Sequence, residues 1–271
     1  MVGIIQQKAF IDIYSKIIRN SKKMFEFKKF SINQENCAMK ICTDACIFGG
    51  YINVSQSKSI LDIGTGTGLL SLMIAQRTEK TLQKPNITAV EIEKDAFLTA
   101  KQNFENSIYT DRLTIFNQSI QDFSENHFST FDHIISNPPF FLHQSKTKNN
   151  SKNLALHSEA LSFDDLLKSI DKLLSKNGKC DILLPAFEMD IFIKKAKKYS
   201  LFPQKKLIIY TRKEKEIFRV IIRFEKKNTQ NKEIIENNFI IYKSKGEKDI
   251  ELNRGYTEQF IELLRDFYII F

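Results

Sequence analysis

A chain of 271 residues, 42% hydrophobic and 27% charged, has the apolar content of a soluble domain with appendages. It has no apolar run near the roughly 20 residues of a membrane helix, and its amphipathic start (Gln6, Gln7, Lys8, Asp12, Lys16, Arg19) lacks a secretory stretch, so a cytoplasmic protein is expected. A formal charge of +9 favours a polyanionic partner, most simply nucleic acid, over the competing account of a lysine-rich solvated surface.

Residues 1 to about 23 read as an irregular or weakly helical tail. Phe25, Phe27 and Phe30 then interleave with charged residues up to Ile32, which predicts one half-buried strand. Thr43 or Asp44 can cap a short helix entering the core. Cys37, Cys42 and Cys46 cluster, but they form no C-x-x-C pair and Cys180 is remote, so reduced, half-buried thiols are preferred to a metal or Fe–S site. The four histidines, His127, His133, His143 and His157, likewise show no metal spacing. No metal is expected.

From Ser59 onward strands and helices alternate. Strands are predicted at Ile60–Ile63, Ile87–Ile92, Leu113–Asn117, Phe131–Ser136 and Cys180–Leu184. Helices are predicted at Leu69–Thr78, Asp95–Asn106, Phe163–Leu174 and Glu188–Tyr199. Such alternation implies an α/β fold, a doubly wound and mostly parallel sheet with helices on both faces. Lys206–Thr211 and Phe218–Phe224 flank a charged turn and read as a hairpin that adds an antiparallel end strand. A polar link, Glu225–Glu236, leads to a strand at Phe239–Lys243 and an amphipathic helix over Thr257–Tyr268 capped by Thr257.

Two stretches carry chemistry. In the first, a buried strand ends at Asp62 and runs into Gly64-Thr65-Gly66-Thr67-Gly68 before a helix. Glycines at alternate positions let backbone approach a ligand, and the helix N-terminus beyond offers free N–H groups. A dinucleotide site wants its third glycine at the sixth position, which is Leu69 here. The Asp-x-Gly-x-Gly-x-Gly form instead resembles motif I of the class I methyltransferases, which bind S-adenosylmethionine. The resemblance implies that Asp62 orients the loop or meets the methionine ammonium, and that Gly64, Gly66 and Gly68 form the cradle. Glu91, at a strand end about 20 residues on, is placed to bind ribose hydroxyls beside Ile92. Asp122 resembles the acid that meets the adenine amino group, although it could equally cap a turn.

The second stretch is Ser136-Asn137-Pro138-Pro139-Phe140, which ends a strand on the carboxyl edge where open α/β sheets bind ligands. Two prolines stop the strand and fix the Asn137 side chain. The pattern resembles motif IV of methyltransferases acting on exocyclic or amide nitrogen. The Asn137 and Pro138 carbonyls can accept both hydrogens of an amine whose lone pair is delocalised, and Phe140 can stack on the base. The polar, basic run His143–Asn153 reads as a segment that orders on substrate, or as a plain loop. Lys194, Lys195, Lys197 and Lys198 with Lys205 and Lys206 are phosphate-contact candidates or a solvated face.

Phe25–Phe30, Gln34, Met39-Lys40, Thr43-Asp44-Ala45 and Phe48-Gly49, with Gly255-Tyr256-Thr257-Glu258-Gln259-Phe260 near the C-terminus, are similar to the tRNA1(Val) (adenine(37)-N6)-methyltransferase family. That resemblance implies S-adenosylmethionine as cofactor, with Thr43 added to its site, tRNA as substrate, and a monomer. It divides the chain into an N-terminal extension (1–54), a methyltransferase core (55–226) and a C-terminal strand and helix (227–271). Competing readings are glutamine N5-methylation of a release factor, guanine N2-methylation of ribosomal RNA, and a non-catalytic RNA-binding module on the same fold.

Overall fold

The computed structural model describes residues 24–35, 37, 40–127, 130–139, 161–226, 233–244 and 255–271. The expected N-terminal tail, the loop His143–Asn153 and Phe140 lie outside the described residues. The described residues open on a two-stranded hairpin, β1 (Met24–Glu26) and β2 (Ser31–Asn33). One strand was expected over this stretch. The Phe27 amide instead donates to the Phe30 carbonyl at 2.9 Å, and the two rings stack at 4.6 Å between centroids. Aromatic side chains three residues apart therefore meet through a turn, which a period-two reading cannot register.

Helix α1 (Thr43–Tyr51) follows, but neither Thr43 nor Asp44 caps it. Cys42 holds the cap position without a side-chain bond, and buried Asp44 pairs with Arg219 at 2.9 Å. The alternating region then runs β3 (Ser59–Ile63), α2 (Leu69–Arg77), β4 (Asn86–Glu91), α3 (Lys94–Glu105), β5 (Leu113–Asn117), α4 (Ile120–Asn126), β6 (Phe131–Ser136), α5 (Phe163–Leu173) and β7 (Leu174–Leu184). Strand β7 starts well before Cys180, because the polar stretch Ser175–Lys179 carries no apolar pattern to announce it. Helix α6 (Ala186–Ala196) ends in a 3-10 turn at Lys197–Tyr199 instead of running on. Strands β8 (Phe202–Tyr210), β9 (Ile217–Glu225) and β10 (Ile235–Ile240) and helix α7 (Glu258–Leu264) complete the described elements. The expected Thr257 cap is present, its hydroxyl accepting from the Phe260 amide at 3.3 Å, although the helix stops before Tyr268.

The main sheet has the order β10-β8-β9-β7-β6-β3-β4-β5, and every neighbouring pair is parallel except the two that involve β9. This is the doubly wound class I methyltransferase arrangement. The antiparallel strand is not at the end of the sheet as expected. It sits between β7 and β8, and β10 extends the edge by pairing parallel to β8.

Successive residues of the central strands point to opposite faces and build two cores. Ile60, Ile135, Leu183 and Ile221 pack under α1, α2 and α7. Leu61, Ile134, Ile182 and Val220 pack under α4, α5 and α6. With both faces covered, the carboxyl ends of β3, β4 and β6 are left as the place where a ligand meets backbone.

Candidate active site

The glycine loop leaves β3 through three residues in the left-handed region, Gly64 (φ +69°), Gly66 (φ +58°) and Gly68 (φ +83°). Their surroundings differ. A Cβ on Gly64 or Gly66 would meet no protein atom within 4 Å, whereas one on Gly68 would stand 2.5 Å from Phe104. The first two leave room beside the backbone, and the third permits close packing of the loop on α3.

Asp62 lies beneath this loop with no exposed surface. One carboxylate oxygen accepts from the Thr65 and Ser71 hydroxyls at 2.6 and 2.7 Å, while the other has no hydrogen-bond partner among the described residues. Burial outweighs those two bonds and pushes the carboxyl up to about 6. Glu91, at the end of β4, accepts from the Gly66 amide at 2.8 Å and from the Glu93 amide at 3.0 Å. Asn117, one strand over, donates to the Glu91 and Ile92 carbonyls at 2.9 and 3.1 Å, so β5 steadies the strand end that carries the acid.

Gly64, Gly66, Glu91, Ile92, Asn137, Pro138 and Pro139 help to line a cavity of about 890 Å³. Motif residues 75 positions apart in sequence thus meet in one space. The Ser136 hydroxyl donates to the Ile63 carbonyl at 2.9 Å, which ties the two motifs at their roots. The side-chain carbonyl oxygen of Asn137 is buried and has no hydrogen-bond partner among the described residues.

Four expected residues stand apart from the lining: Asp62, Gly68, Asp122 and Thr43. Asp122 accepts from the Ser119 hydroxyl at 2.6 Å, and its amide donates back to Ser119 at 3.0 Å. Ser119 caps α4 and Asp122 holds that cap from the first turn, where Ser119, Ile120 and Gln121 line the cavity. Glu35, Cys37, Asp95 and Gln118 also line the cavity and were not expected there. Glu35 and Cys37 arrive through a long-range clamp in which Asn103 of α3 accepts from the Asn33 amide and donates to the Asn33 and Thr67 carbonyls. No local pattern announces that clamp.

The cysteines are free, and burial pushes the Cys46 thiol up to about 12. Among the described residues no group of histidine, cysteine and acidic side chains is placed to hold a metal. Of the lysine candidates, Lys195 pairs with Asp164 and Lys206 with Glu236. No helix among the described residues is long and apolar enough to cross a membrane.

Residues 45–168 match the model of the methyltransferase small domain family. A tRNA1(Val) (adenine(37)-N6)-methyltransferase of Dyadobacter fermentans is 41% identical, over 91% of this chain and 98% of its own. The chain belongs to that family. The family's protein of the same name from Cytophaga hutchinsonii is 38% identical over 92% and 99% of the two chains. At the level of fold, a predicted O-methyltransferase from Agrobacterium tumefaciens superimposes with a TM-score of 0.60 at 15% identity, over 82% of this chain and 96% of that one.

Proposed function

We propose that the protein methylates the exocyclic N6 of an adenosine in tRNA, adenosine 37 of tRNA1(Val), with S-adenosylmethionine as the donor. The observation that carries this reading is Asn137, which lines the cavity with Pro138 and Pro139 and whose buried side-chain carbonyl oxygen has no hydrogen-bond partner among the described residues. A buried acceptor left unpaired costs about 1–3 kcal/mol, and a substrate amine removes that cost by donating to it. The donor contributes an electrophilic methyl group carried on a sulfonium.

The residues present fit that donor. Space beside Gly64 and Gly66 admits a ligand against bare backbone, and Glu91 keeps acceptor capacity for ribose hydroxyls. Exposed Ile92 offers an apolar surface to a base, and Asp62 holds the loop from beneath. Asp122 acts through Ser119, whose position it sets.

Adenine N6 is a weak nucleophile because its lone pair is drawn into the ring. The Asn137 side-chain carbonyl and the Pro138 main-chain carbonyl each accept one N6 hydrogen, which favours a tetrahedral nitrogen with its lone pair directed outward. Phe140 stacks on the base. Orientation and electrostatics supply the catalysis, and the extra proton leaves after transfer without a strong base. The basic composition serves RNA docking. The reading takes 55–226 as the core, 1–54 and 227–271 as its extensions, and the active species as a cytoplasmic monomer.

The test is transfer of labelled methyl groups to unmodified bulk tRNA, ribosomal RNA and release factor in parallel, with nucleosides identified by mass. N6-methyladenosine from tRNA alone is the expected product. Label in N2-methylguanosine or in protein overturns the substrate, and cofactor binding without transfer to any of the three overturns the enzyme.

A further inference from the structure

A second cavity, of about 190 Å³, is lined by Tyr51, Asn53, Asp181, Lys205, Ile221 and Arg223, none of which lines the larger one. Strand register brings these groups together. Asp181 of β7 pairs with Arg223 of β9, and Arg223 pairs with Lys205 of β8, so their side chains form a row on one face of the sheet. It is the face of Ile221, under α1, and Tyr51 ends that helix. Lys205 stands five residues before the carboxyl end of β8, about 16 Å from the edge that carries Asn137.

The charges of this row do not balance. Asp181 is the carboxylate in the cavity wall, and it is already shared. His133 Nε2 lies 2.6 Å from it, and Arg223 donates to it through Nε at 3.0 Å and Nη2 at 2.7 Å. Arg223 Nη2 also donates to the Asn53 carbonyl at 3.2 Å, while Nη1 has no hydrogen-bond partner among the described residues. Exposed Lys205 makes no ion pair among the described residues, whereas Lys206 beside it pairs with Glu236 on the opposite face. Glu225, two residues along β9, pairs with neither cation among the described residues.

Arg223 and Lys205 are directly opposite on antiparallel strands, with Cβ atoms about 5 Å apart, and like charges so placed destabilise a sheet. An anion between them removes that repulsion. A phosphate group suits the site, because its several oxygens can accept from a guanidinium, an ammonium and a hydroxyl together. Asp181 holds the Arg223 guanidinium in place beforehand, so little order has to be imposed on binding. We propose that this cavity is a phosphate-binding site in which Arg223 and Lys205 supply the cations and the Tyr51 hydroxyl a neutral donor. The phosphate belongs either to the backbone of a bound RNA or to a free phosphate, and the chemistry of recognition is the same for both. The site is independent of the methyl-transfer reading above.

The experiment titrates the full-length chain with inorganic phosphate at constant ionic strength, by calorimetry, alongside thermal midpoints measured without phosphate. Wild type is compared with Lys205→Ala, Lys205→Arg and, as a control, Lys84→Ala, which removes an exposed lysine between α2 and β4. Wild type is expected to bind phosphate saturably. Lys205→Ala should weaken that binding by about tenfold or more, as loss of one charge-assisted bond predicts. Lys205→Arg should restore it, Lys84→Ala should leave it unchanged, and all thermal midpoints should agree. Repeating the titration with unmodified tRNA bound separates the two sources. Displaced phosphate, with tRNA affinity also lowered by Lys205→Ala, assigns the site to an RNA backbone phosphate. Undiminished phosphate binding assigns it to a free phosphate. Absence of saturable binding, or an affinity in Lys205→Ala within about twofold of wild type, overturns the proposal. So does a loss that follows the thermal midpoint or that Lys205→Arg fails to restore. A chain that binds phosphate as expected but transfers no methyl group to RNA overturns only the functional reading.

Discussion

Glu91 accepts the Gly66 amide at 2.8 Å, so the end of β4 holds the glycine loop in its left-handed path from the side. The same carboxylate faces the cavity and takes the Glu93 amide through its other oxygen. Loop shape and cavity wall therefore pass through one side chain. Replacing it by alanine removes a charged acceptor worth about 1.5–3 kcal/mol, which should weaken cofactor binding by about 10- to 100-fold. Isothermal titration with S-adenosylmethionine checks this, and an unchanged affinity would show that Glu91 is structural only.

Asn137→Ala should separate binding from chemistry. Asp62, Glu91 and the glycine loop are untouched, so cofactor affinity should stay within about twofold. Transfer to tRNA should fall by about 10² or more, the usual effect of losing one preorganised catalytic hydrogen-bond partner. Single-turnover rates measured beside cofactor titration give the answer, and equal losses in both would assign Asn137 to structure.

The loop glycines should divide by what surrounds them. Gly66→Ala meets no protein atom, so its stability cost is the left-handed backbone penalty of about 1–2 kcal/mol, and its main effect should be on cofactor binding. Gly68→Ala adds a clash with the Phe104 ring, about 1–3 kcal/mol more. Urea unfolding of the two variants should rank Gly68→Ala as the less stable. The reverse order would contradict the packing described.

Asp62 makes a pH prediction. Its folded value of about 6 exceeds the ordinary 3.8, so the native chain holds this proton more tightly than the unfolded one. The group contributes least at neutral pH, where a buried charge is maintained, and stability attributable to it rises as pH falls from about 6 toward about 4. Just over two pH units correspond to about 3 kcal/mol. The stability of wild type relative to Asp62→Asn should increase by up to that amount between pH 7.5 and pH 4.5 in urea titrations. A difference that does not vary with pH would rule out the buried, protonatable state.

What was legible beforehand follows how locally each feature is determined. Gly64, Gly66, Asn137 and Pro138 stand in short strings whose backbone geometry is set by the residues themselves, and the strands leading into them are apolar throughout. Sequence reading anticipated that these residues share one edge of a parallel sheet, and they line one cavity there. Asp44 did not cap its helix because its carboxylate is drawn into an ion pair with Arg219, 175 positions away. Glu35 and Cys37 reach the cavity only because Asn103 holds Asn33. Strand β10 pairs parallel to β8, a choice made by sheet edges and not by its own six residues. Asp122 was visible as an acid at the right distance, but its bond to Ser119 was not.

The hairpin that brings Glu35 and Cys37 to the cavity leans on the end of the chain. Phe27 bridges to Tyr268, the Lys28 amide donates to the Phe267 carbonyl at 2.8 Å, and the Lys28 ammonium reaches the Phe271 carbonyl at 2.8 Å. During synthesis the glycine loop and the Asn137 motif can form as soon as their own strands pair. The hairpin that leads to Glu35 and Cys37 is held by Asn103 and draws further contacts from residues about 240 positions later. The cavity thus combines a floor built by neighbouring strands with a side steadied across nearly the whole sequence, the opposite extremes of contact separation in one site.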